Sequence, residues 1–100
     1  MKTEIINKVV LTNNNELLLI LVGEGKAMYQ YVYREAAGVY WDNNQKGFKS
    51  TELKEWTVCD WFFHIKEIVK TGLNVDLKVS DTLIWENIPE IEQTKIKKAL

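Results

Sequence analysis

Imidazole and thiol are nearly absent from this chain of 100 residues: it has one histidine, His64, and one cysteine, Cys59. Zinc and other nitrogen- or sulfur-ligated metals need several such groups close together. On a helix, five positions of separation turn two side chains about 140° apart, so these two form neither a metal site nor a nucleophile–base dyad. A lone cysteine makes no internal disulfide, and no Asn-x-Ser/Thr sequon occurs. Both fit a reducing interior, and the expected location is cytoplasmic. Charge of one sign is lacking too. Thirteen Lys and Arg face 14 Asp and Glu, for a net charge of −1. That leaves no field to attract phosphate, so nucleic acid and anionic membrane are not expected partners. The longest apolar run, Leu17 to Val22, is far too short to span a bilayer. The N-terminus leads straight into patterned sequence, without the apolar core of a signal peptide.

Motifs for bound groups are missing as well, and no cofactor or metal is expected. Gly23-Glu24-Gly25-Lys26 has Ile20 where a phosphate loop needs its first glycine and Ala27 where it needs a hydroxyl. The turn at Asp42 places Asp42, Asn44 and Gly47 as a calcium loop would. Lys46, however, replaces an oxygen ligand, and Leu53 stands at the bidentate position. Carboxylates for acid–base work remain in Glu35 and Asp42, and in Glu52, Glu55 and Asp60 near a predicted helix start. Residues at such places ordinarily act as solvated loop and cap groups. Next to the cap, Cys59 is open to a lowered pKa, against the plainer reading of a small packed residue.

What is present is ordinary globular patterning, expected to fold as a single domain over residues 1–100. Ile5 to Thr12 reads as a strand from its β-branched content. Asn13-Asn14-Asn15 reads as a turn. Leu17 to Val22 reads as a central strand covered on both faces, with a short buried helix as the alternative. Asp42 to Gly47 is a polar turn that returns as a short strand, Phe48 to Ser50, so that Trp41 and Phe48 meet across a hairpin. Thr57-Val58-Cys59-Asp60 combines an N-cap hydroxyl with an acid at the third helical position, flanked by Trp56 and Trp61 as a hydrophobic staple. The helix is expected to run to about Thr71, ended by Gly72 in a left-handed conformation. Val58, Trp61, Phe62, Ile65, Ile68 and Val69 make its apolar stripe, and Asp60 and His64 make an (i, i+4) pair. Val75, Leu77 and Val79 alternate as a strand, and Leu83-Ile84-Trp85 is a further strand or packed loop. Pro89 suits the first turn of a last helix, with Glu90 and Glu92 at its start and Lys95, Lys97 and Lys98 towards its end. The fold class is α+β: a mainly antiparallel sheet of about five to six strands, packed by one long helix, with a short C-terminal helix.

One stretch is unusual. Residues 29–42, YQYVYREAAGVYWD, hold all four tyrosines and one of the four tryptophans. Alternation puts Tyr29, Tyr31, Tyr33 and Trp41 on one face of a strand bent near Gly38. Two strands joined by a tight loop are the alternative. In one reading these rings form the sheet face under the helix, and Trp41 and Tyr33 are assigned there. In the other, part of the face stays exposed for recognition, since Tyr, Trp and Arg dominate binding hot spots; Tyr29 and Tyr31 are open to either. Phe63 projects about 140° from the helix stripe and needs another element or a partner to pack on. The candidate binding residues are therefore Tyr29, Tyr31, Tyr33, Arg34, Trp41 and Phe63.

The function expected from this build is non-enzymatic binding of another protein. Bacterial immunity proteins that block a toxin, and small adaptors, share the build, by analogy of class alone. The alternative is a small-ligand binder or enzyme with a pocket between helix and sheet, lined by Tyr31, Tyr33, Trp41 and Trp61.

Overall fold

The computed structural model describes residues 1–34 and 36–100. The chain runs β1 (Lys2–Leu11), β2 (Glu16–Leu21), a 3₁₀ helix (Ala27–Val32), β3 (Val39–Asp42), β4 (Gly47–Glu52), α1 (Val58–Leu73), β5 (Val75–Glu86) and α2 (Glu90–Ala99). The strands form one five-stranded sheet in the order β3-β4-β2-β1-β5. Three of its pairings are antiparallel, and the outer β1–β5 pairing is parallel. The fold is thus α+β, with a mainly antiparallel sheet, one long helix and a short C-terminal helix.

Local sequence explains most of these elements. The Asn13–Asn15 turn closes the β1–β2 hairpin, with Asn15 in the left-handed region at φ 59°, where Asn carries little penalty. β2 lies at the centre of the sheet. Its Leu17, Leu19 and Leu21 are buried beneath α1, and Leu18 is buried on the opposite face. Trp41 pairs with Phe48 across the β3–β4 hairpin, ring centroids 4.9 Å apart. The Asp42 carboxylate accepts from the Asn44 and Gln45 N–H groups and shapes the turn between them.

The capping box of α1 forms as the sequence spells it. Asp60 N–H donates to Thr57 Oγ1 at 3.1 Å, and Thr57 N–H donates to Asp60 Oδ2 at 3.1 Å. Trp56 and Trp61 pack 5.2 Å apart around it. Val58, Phe62, Ile65 and Val69 face the sheet and are buried. Across the same start lies an element no local pattern announces. The Glu92 carboxylate of α2 accepts from the Cys59 N–H at 3.0 Å, satisfying another free amide of the first turn. At the far end the expectation of Gly72 as terminator is corrected. The helix continues to Leu73, and Asn74 takes the left-handed position at φ 58°, ψ 40°.

Two further expectations change. Val75 to Val79 and Leu83 to Trp85 belong to one strand, β5. It pairs with β1 from Lys2↔Val75 to Ile6↔Val79 and resumes at Lys8↔Ile84 after a bulge. The long bent strand through the tyrosines does not form. Tyr29 N–H donates to the Lys26 carbonyl at 3.0 Å, the i→i+3 bond of a 3₁₀ turn. In that turn, residues three apart share a side, so Tyr29 and Val32 are the pair that enters the core. The period of two among the tyrosines is a coincidence of spacing. After it, a turn carries the Ala37 and Gly38 N–H groups onto the Arg34 carbonyl, and Arg34 bridges to Val39 at the sheet edge. This is nearer to the tight-loop alternative than to a bent strand. Glu35 lies outside the described residues.

Candidate functional site

The tyrosine segment divides sharply. Tyr29 is 1% exposed, wedged between Trp41 and Phe48 at ring separations of 5.3 and 5.5 Å. Its hydroxyl donates to Glu4, and burial, then that hydrogen bond, push its pKa well up. A recognition role for this ring is incompatible with its burial, and Tyr29 is corrected to a core residue. Trp41 is half-buried against the same cluster. Its ring is so close to Gly25 that a methyl group there would sit 2.5 Å away. Tyr31 and Tyr33, by contrast, are 67% and 50% exposed. Assignment of Tyr33 to the core is therefore corrected too: past the 3₁₀ helix its ring lies beside Tyr40 at 6.4 Å. Arg34 is exposed, and its guanidinium donates to the carbonyls of Tyr31 and Tyr33 at 2.9 and 2.8 Å. It props the short helix.

Val32, Ala37 and Gly38 lie against α1. Val32 sits beside Gly72, the Ala37 carbonyl bonds His64 Nε2 at 2.8 Å, and Gly38 faces the Trp61 ring. The carbonyl can only accept, so Nε2 carries the proton. The predicted Asp60–His64 pair is corrected by this contact, since Asp60 is spent on the capping box. Where Ala36 to Gly38, the end of β4 and the start of α1 meet, an open cleft of about 570 Å³ forms. Its aromatic wall is Trp56, Trp61 and His64, with ring centroids 4.9 to 5.2 Å apart. Glu52, at the end of β4, and Lys54 and Glu55, in the loop after it, line it as well. A second depression, of about 470 Å³, lies on the other side of Trp56 and His64 and is lined by Cys59, Asp60 and Phe63. Trp56, 47% exposed, therefore stands as a ridge between two hollows.

Phe63 is partly buried by the core rather than left free. It packs edge-on to Phe62 at 5.0 Å, half-buried against the core, and forms one wall of the smaller hollow. The pocket expected between helix and sheet is corrected in its lining. Trp61 belongs to the cleft, but Tyr31, Tyr33 and Trp41 do not. Trp56, Glu52 and Glu55 were legible only as a staple and as loop acids. The available signal was that a staple uses two large aromatics where one ring has nothing above it.

Burial, then Glu92 and Asp60, push the Cys59 thiol up, not down as its place at a helix start allowed. The His64 ring is held by its carbonyl. Among the described residues, no group of three or more His, Cys, Asp and Glu is placed to hold a metal ion. No described helix is long and apolar enough to cross a membrane.

An α+β domain with an aromatic cleft where its main helix begins is the class that fold and site define. Residues 8–83 match the family described as Integron Cassette Protein Hfx_Cass5, and the chain belongs to that family. It is also similar to a solved structure described as "Structure from the mobile metagenome of North West Arm Sewage Outfall: Integron Cassette Protein Hfx_Cass5". The two are 22% identical over 99% of this chain and 96% of that one, with a TM-score of 0.43. No curated protein matches the chain.

Proposed function

We propose that this protein acts by binding another protein, with Trp56 at the centre of the contact surface and Tyr31 and Tyr33 as outlying contacts. The observation that carries this reading is the half-exposed Trp56 ridge between two open hollows. A large aromatic flanked by concavities is the geometry in which a partner desolvates a ring completely, and buried aromatic anchors dominate protein interfaces. The 3₁₀ helix, pinned by Tyr29 and Val32, presents Tyr31 and Tyr33 at little further ordering cost. A toxin-neutralising or adaptor role is the narrower form of this proposal, resting on analogy of class.

The test is capture on immobilised protein, using the products of genes adjacent to this one as named candidates. The variants are Trp56→Leu, which keeps an apolar staple, and Ile91→Ser, a control on exposed α2. A partner held by the wild type and the control but lost from Trp56→Leu supports the reading. Equal retention by all three places the contact elsewhere and overturns it.

A further inference from the structure

We infer that the cleft beside Trp56 receives an arginine side chain of the partner, the guanidinium lying on the exposed indole and facing Glu52 and Glu55. The inference rests on the binding reading above and names the chemistry that the cleft selects. Three observations lead to it. First, Trp56, Trp61 and His64 touch at centroid distances near 5 Å, so they leave no gap for a group between them. They offer an outer face, and a planar cation stacks on such a face. Second, the charge around Trp56 is unbalanced. Glu52 and Glu55 line the larger hollow and Asp60 the smaller, against Lys54 alone.

Third, among the described residues Glu52 and Glu55 hold no ion pair; Glu67, Asp81 and Glu90 hold none either, but of these only Glu52 and Glu55 adjoin the aromatic cleft. Glu16, Asp42, Asp76, Glu86 and Glu92 each hold an ion pair with a lysine, and Asp60 is bound into the capping box. Among the described residues, no Lys, Arg or His lies within ion-pair distance of Glu52 or Glu55. Arginine fits better than lysine on two counts. Its head is planar and weakly hydrated, so it stacks without losing a tight water shell. Its five N–H donors reach a second carboxylate while the first is engaged. Lys54 opposes the incoming charge and so supplies its own check.

The probes are three capped tripeptides: Gly-Arg-Gly, Gly-Lys-Gly and Gly-citrulline-Gly, in which an uncharged urea replaces the guanidinium at nearly the same shape. The readout is the indole N–H resonances of Trp56 and Trp61 in nitrogen-15-labelled protein, assigned with Trp56→Phe. The arginine peptide is expected to shift both resonances saturably, with the citrulline peptide binding about ten-fold more weakly or worse. Glu52→Gln with Glu55→Gln should weaken the arginine peptide several-fold, and Lys54→Ala should tighten it. All three positions are exposed, so these variants fold. Equal binding of arginine and citrulline, shifts confined to other residues, or indifference to the Glu and Lys changes would each overturn the inference. The two readings fail separately. A protein partner lost with Trp56→Leu but unchanged by the double Glu variant keeps the binding surface and removes the arginine. Arginine-selective shifts at Trp56, with no protein captured, keep the arginine site and remove the named partner.

Discussion

Replacing Glu92 by Ala should cost far more stability than a glutamate on the last helix of a small protein would suggest. Glu92 is 8% exposed, and its carboxylate bridges Cys59 N–H on α1 and Lys95 Nζ on its own helix, at 3.0 and 3.1 Å. Removing the acceptor strands a part-buried amide in the first turn of α1, and hydrogen bonds to charged groups contribute about 1.5–3 kcal/mol. The Lys95 contact adds at most a few tenths, because half-exposed pairs are screened. A total of about 2–3 kcal/mol follows, out of roughly 5–15 available to a domain of this size. In thermal unfolding that is a fall of about 8–20 °C. Urea titration should show a lower midpoint with an unchanged slope. Glu92→Gln keeps an oxygen acceptor and loses the charge, so it should fall between wild type and Ala.

The pH dependence supplies a second signature. The Cys59 N–H, opposed by burial and helped by Lys95, holds the Glu92 carboxyl below its ordinary value. A depressed carboxyl contributes stability above its unfolded pKa and loses it as pH falls through the folded one. The gap between wild type and Glu92→Gln should therefore be constant above about pH 5.5 and close as pH drops below about 4. Ala and Gln variants both within 0.5 kcal/mol of wild type, or a gap that ignores pH, would refute the reasoning and leave water as the partner of Cys59 N–H.

Three further outcomes follow from single positions. Gly25→Ala meets both a φ of +72° and the Trp41 ring at 2.5 Å, so a loss of about 2–4 kcal/mol is expected in denaturant titration; a neutral result would mean that this turn does not hold the left-handed backbone. Asn74→Gly should stabilise by up to about 1 kcal/mol, and Asn74→Val should destabilise by about as much, if the left-handed residue ending α1 is Asn74; equal midpoints would move the helix end. Tyr31→Ser with Tyr33→Ser should change stability by no more than about 1 kcal/mol, whereas Tyr29→Ser alone should cost about 3–5 kcal/mol through lost burial and a stranded Glu4; similar losses from the two would return the exposed tyrosines to the core.

The elements that the sequence revealed are those whose causes lie within a few residues. Thr57 and Asp60 are three apart and cap one another. Trp41 and Phe48 are joined by a turn whose residues announce it. The leucines of β2 need no partner to declare a buried strand. What stayed hidden was settled at long range. Glu92 reaches Cys59 across 33 positions, and to local pattern it is only an acid near a helix start. The pairing of β5 with β1 joins the two ends of the chain, and its bulge merges two apparent strands. The stop at Asn74 rather than Gly72 turned on two residues equally able to adopt positive φ; the helix took two further residues because Leu73 adds to the face that packs on the core.

The aromatic stretch misled for a more instructive reason. Period-two spacing is a signature of strands only where burial follows it, and here burial follows a period of three. Tyr29 and Val32 enter the core together because the chain must cross the open end between β2 and β3, where one ring wedged against Trp41 and Phe48 fills the space. Tyr31 and Tyr33 are then turned outwards by geometry, whatever their composition promises. The reverse holds at the cleft. A staple of two tryptophans reads as structure and is structure, since the pair does clamp the start of α1. But the staple buries neither of them fully. Trp61 lies within the helix and is partly buried against the core, while Trp56 precedes it, packs on Trp61 and His64 and stays more exposed. Capping a helix needs an apolar residue at that place, not the largest one available. The excess ring surface is what the proposed contact would use, and it shows only when both hollows beside it are seen to be open.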